Sequence, residues 1–169
     1  MRVIAAWPET AKGAAKEMAG KYGTPDRVGG DLLVWQNKGP YVWIRVHGVE
    51  VPHNFPVQHK DVLDIAIPYK VPVSKYTELA EFDGSATVMR TKGLLVASCF
   101  KEGLDIAILN LAHDVVTGKK TSVRARRAFA QIAMGLMKGE KNSYAAALQF
   151  ETEPLSATQD PDKPFEMKK

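Results

Sequence analysis

The chain has 169 residues, 45% hydrophobic and 25% charged, which is enough apolar material for one folded core. That composition excludes a wholly disordered, collagen-like or coiled-coil protein. The single cysteine excludes an internal disulfide framework and a cysteine-rich zinc module, and no run approaches the ~18 apolar residues of a membrane span. The net charge of +4 is unevenly spread. Residues 119–141 carry seven Lys/Arg against one Asp/Glu, more than the whole excess, whereas 61–118 carry five against eight. An electrostatic partner is therefore expected at 119–141.

Met1–Trp7 is too short before Pro8 for a signal peptide, so the expected compartment is the cytoplasm. Pro8 suits the start of a helix and Gly23 the left-handed residue past its end. Between them Ala11, Ala15, Met18 and Tyr22 recur on one face and predict an amphipathic helix. Leu32–Gln36 and Tyr41–Val46 are rich in β-branched and aromatic residues, and Asn37–Pro40 between them predicts a hairpin. From Val49 to Asp61 the chain is rich in Pro and His without a period, which predicts a long loop. Asp64–Val71 reads as a strand that Pro68 pushes toward an edge or a bulge.

Ser74 predicts a short helix to about Phe82 and Asp83-Gly84 a turn. Ser85–Arg90 and Leu94–Phe100 then form a second hairpin about Thr91–Gly93. From Lys101 to Thr117, Leu104, Ile108, Leu111 and Val115 make one stripe, widened by Leu109, Ala112 and Val116. This helix is expected to be the most buried element and to stop at Gly118. Thr121 or Ser122 caps a last helix, with Ala125, Phe129, Ile132 and Leu136 inward and a stop near Gly139. Residues 151–169 hold three prolines and eight charges and predict a flexible tail. The order predicts an α+β fold in one domain over 1–150. Its mostly antiparallel sheet of about five strands carries an N-terminal helix and two C-terminal helices.

Several motifs are Trp7-Pro8, Lys21-Tyr-Gly-x-Pro25, Leu33-Val-Trp35 with Gly39-Pro40, and His53-x-Phe-Pro56-x-x-His59-x-Asp61-Val-Leu63. Others are Phe82-Asp-Gly-Ser85, Arg90-Thr-Lys-Gly93 and Leu109-Asn-Leu-Ala-x-Asp114-x-Val-Thr-Gly-Lys119. Together they resemble a family of uncharacterised bacterial proteins, over roughly Trp7 to Arg127. The resemblance implies a bacterial source and a single domain, and it transfers no functional residue.

Three constellations carry candidate chemistry. His47, His53, His59, Asp61 and Asp64 fall within eighteen residues. Imidazole and carboxylate together suit a divalent transition metal, with His53, His59 and Asp61 as ligands and His113 joining if the buried helix closes over them. The spacing matches no standard metal motif, and His53 and His59 could equally stabilise loop carbonyls. This is the metal-dependent enzyme reading. The second constellation is Lys120, Arg124, Arg126 and Arg127 at a helix start, which suits an anion or a nucleic acid without sequence-specific readout. Third, Trp35, Tyr41 and Trp43 of the first hairpin, with Asn110 on the buried helix, suit the wall of a pocket. With the 49–64 segment they predict binding of a small molecule or protein partner. Asp83-Gly-Ser85 reads as a turn, with no base placed to make Ser85 a nucleophile. Cys99 reads as an inert core thiol.

Overall fold

Alternating apolar runs extend and pair antiparallel throughout the computed structural model, which describes residues 2–167. The strands are β1 (Arg27–Val28), β2 (Leu32–Lys38), β3 (Tyr41–His53), β4 (His59–Pro68), β5 (Ala86–Met89) and β6 (Leu94–Cys99). They form one sheet in the order β1-β2-β3-β4-β6-β5, so a four-strand meander is extended by the second hairpin with β6 inward. The fold is the expected α+β type; the extra strand, β1, is a two-residue bridge too short to carry a pattern.

The helices are α1 (Glu9–Tyr22), α2 (Tyr76–Phe82), α3 (Glu102–Val116), α4 (Ser122–Met137), α5 (Ser143–Ala146) and α6 (Leu155–Thr158). Gly23 ends α1 with φ +77° and Gly118 follows α3 with φ +76°, the left-handed geometry glycine tolerates best. Thr121 caps α4 by accepting the Arg124 N–H. Twelve of the fifteen α3 residues are buried, because α3 lies between the sheet and α4. The main core joins Met18 of α1, Leu33, Ile44 and Ile65 of the sheet, Ile108 of α3 and Phe129 of α4. Glu102 ties α3 to α1 through the Tyr22 hydroxyl and the Lys21 ammonium.

Three expectations need correction. The Pro- and His-rich segment is no long loop: β3 runs on to His53, β4 starts at His59, and only a five-residue turn separates them. A bulge masks the strand period, with four residues of β3 between Val46 and Val51 facing one of β4. Gly48 in this bulge lies so close to Trp7 that a Cβ would meet the indole at 2.8 Å. Pro68 does not mark an edge, since β4 is interior. Pro68 ends the strand, and pairing with β3 has already stopped at Trp43–Ala66, so its missing N–H costs no ladder bond there. The segment after 150 is not without fixed contacts either. Thr158 is buried and donates to the Gly93 carbonyl, and Arg90 pairs with Asp160 and Asp162.

Candidate metal centre

His53 and His59 are cross-strand partners on the last rung of the β3–β4 hairpin. Asp61 lies two residues along β4 from His59, so strand period 2 places it on the same face. Donor atoms of the three side chains lie within 4.8 Å of one another. His59 Nε2 is 2.9 Å from Asp61 Oδ1, and His53 Nδ1 is 3.3 Å from Asp61 Oδ2. The turn is pinned from outside the site. Phe55 packs against Phe129 of α4 at 5.7 Å between ring centroids, with the Arg126 guanidinium 3.7 Å from the Phe55 centroid.

Neighbouring groups orient these side chains. His59 Nδ1 lies 2.8 Å from the Val57 carbonyl, which fixes the ring and commits that nitrogen as a donor. The Ser85 hydroxyl donates to Asp61 Oδ2 at 2.6 Å and sits 3.2 Å from His53 Nδ1. Asp83 is fully buried, accepts the Ser85 N–H at 2.8 Å, and lies 3.6 Å from His53 Nε2.

The electrostatics are unbalanced. Asp61 Oδ1 is buried with no hydrogen bond, although His59 Nε2 is close. Burial lowers the basicity of His59, but the Asp61 carboxylate and the Val57 carbonyl outweigh it, so the net shift is upward. Burial raises Asp83, and it raises Asp105 in the first turn of α3 far above the carboxylate range. Neither Asp105 oxygen has a hydrogen bond, and Asp64, Asp61, Glu102 and Asp83 add like-charge repulsion. Cys99 lies on the same side, its Sγ 3.6 Å from His59 Nε2, and burial drives its thiol strongly upward, as expected of an unreactive core cysteine.

His113 does not join this cluster, which corrects its assignment as a ligand. It stacks on Phe150 at 4.1 Å with its Nδ1 2.8 Å from the Tyr69 hydroxyl, in a separate environment. His47 pairs with Asp64 at 2.8 Å instead. The aromatic pocket is not formed. Trp35 is in the main core, donating to the Gly23 carbonyl, and Tyr41 is buried there too. Trp43 is on the opposite sheet face beneath Arg45. Asn110 is buried and fully used: it donates to the Tyr144 and Ala147 carbonyls and accepts the Gln149 N–H.

The basic segment divides. Lys119 and Lys120 neutralise buried Asp114, and Arg126 donates to the Phe82 carbonyl at 2.8 Å. Arg124 and Arg127 are exposed, and no carboxylate pairs with them among the described residues. Sequence reasoning missed Asp83 and Ser85 as members of the His53–Asp61 cluster. Their membership is a tertiary contact between the Asp83–Ser85 turn and the β3–β4 hairpin, for which the sequence carries no local signal.

Asp61 and Ser85 also border a cleft of about 310 Å³ with His47, Asp64, Thr87 and Ser98. Among the described residues no helix is long and apolar enough to cross a membrane. No protein-family model, curated protein or solved structure matches the chain.

Proposed function

We propose that the protein binds a divalent transition-metal ion of the zinc type between His53, His59 and Asp61. The observation that carries this reading is the convergence of donor atoms of His53, His59 and Asp61 within 4.8 Å of one another, with the Val57 carbonyl orienting His59 and the Ser85 hydroxyl orienting Asp61. Tetrahedral coordination at ~2.0–2.1 Å separates nitrogen and oxygen donors by about 3.3 Å, close to the His53–Asp61 distance of 3.3 Å.

Three protein ligands leave a fourth position free, so the enzymatic form of this reading is metal-assisted chemistry on a small molecule entering the cleft beside Asp61 and Ser85. Small-ligand binding through residues 49–64 is thereby assigned to the cleft, not to the aromatic hairpin. The test is metal analysis and zinc calorimetry on untagged protein. The expected result is one equivalent of metal in wild type and none in His59→Ala or Asp61→Asn. Wild type that binds no metal, or variants that keep it, would overturn the proposal.

A further inference from the structure

We propose that the outward face of α4 docks on an anionic lipid bilayer. Between Ser122 and Met137 the helix holds three arginines and no acidic residue. At about 100° per residue, Val123, Arg127, Met134 and Lys138 fall within roughly 60° of one another, on the side opposite Phe129. Arg124 and Met137 flank that strip. Val123 is 67% exposed, Met134 48% and Met137 73%, an unusual amount of aliphatic surface for one helix. Arg124, Arg127, Lys138 and Lys141 are exposed as well, and no carboxylate among the described residues pairs with them.

The face therefore combines unpaired positive charge with apolar side chains. A bilayer interface accepts both, placing cations at lipid phosphates and Val or Met side chains at the acyl boundary. A nucleic acid accepts only the cations, and this strip offers no aromatic ring on which a base could stack. Past Met137 the surface opens into a cavity of about 430 Å³ whose walls include Val57, Phe100 and Leu104 together with His59, Glu17 and Lys101. This inference does not rest on the metal reading, although the cavity beside the helix also touches His59.

The test is sedimentation at low salt with vesicles of phosphatidylcholine alone and of phosphatidylcholine mixed equally with phosphatidylglycerol. Wild type should pellet with the mixed vesicles only and be released by salt. At ~1 kcal/mol per cation near the surface, Arg124→Glu with Arg127→Glu should weaken partitioning by about thirtyfold or more. Met134→Ser with Met137→Ser should weaken it severalfold while leaving the salt dependence. All four side chains are exposed, so circular dichroism should match wild type and separate lost docking from lost folding. Equal binding to both vesicles, no binding to either, or undiminished binding by the arginine variant would overturn the proposal. So would retention on duplex DNA without vesicle binding, which would reassign the surface to polyanions.

Discussion

The two histidine-bearing regions of this molecule use similar residues and reach opposite ends. Around His113 the buried polar side chains are matched. Asp114 receives Lys119, Lys120 and Tyr144, Asn110 spends its amide on three backbone groups, and Tyr69 meets the imidazole. Around His59 the ledger does not close: Asp61 Oδ1 and both Asp105 oxygens are buried without a hydrogen bond. The difference teaches that residue type does not mark a binding site. Unspent bonding capacity is what separates the two regions, because most buried polar groups are satisfied.

The sharpest way to break this contrast is at Asn110. Asn110→Ala removes the buried amide that ties α3 to the Tyr144, Ala147 and Gln149 backbone and should cost about 1–3 kcal/mol in denaturant unfolding, with zinc stoichiometry unchanged. A cost under ~1 kcal/mol would show that the His113 region is less saturated than drawn. At the other region, Ser85→Ala removes the donor that orients Asp61. Zinc calorimetry should show affinity lower by about 10–100-fold with stoichiometry intact, whereas an unchanged affinity would remove Ser85 from the site.

The smallest effect concerns pH. Burial depresses His113 below the ordinary imidazole value of 6.5, with Lys119 helping and Asp114 opposing. The folded protein thus holds fewer protons than the unfolded chain in this range. Stability is full above that ordinary value and is lost as pH falls through the depressed one. In thermal melts from about pH 7 to 5, His113→Gln should lose less stability on acidification than wild type. Parallel profiles would show that His113 is not held neutral by its surroundings.

Much of the fold was legible in the sequence, because helix ends and turns are local chemistry. Gly23 and Gly118 occupy the terminal positions that their backbone freedom predicts, and Thr121 the one that its hydroxyl predicts. Strand pairing is not local. The bulge between Val46 and Val51 hid the alternation that places His59 and Asp61 on one face, so a hairpin looked like a loop. Trp35 and Trp43 looked like partners, yet pairing Gln36 with Trp43 puts the indoles on opposite faces. Asp105 lies in the first turn of α3, and only tertiary burial shows it stripped of water and partners.

Arg126 works as a rivet rather than as a surface charge. One guanidinium caps the carbonyl end of α2 at Phe82, clamps Phe55 in the turn between His53 and His59, and belongs to α4 by its backbone. The outer helix and the histidine turn therefore share a mechanical joint. Removing Arg126 would loosen three elements at once, and its effect on ligand or lipid binding could not be read as electrostatic. Arg124 and Arg127, which hold nothing together, are the side chains through which the helix's charge can be varied alone.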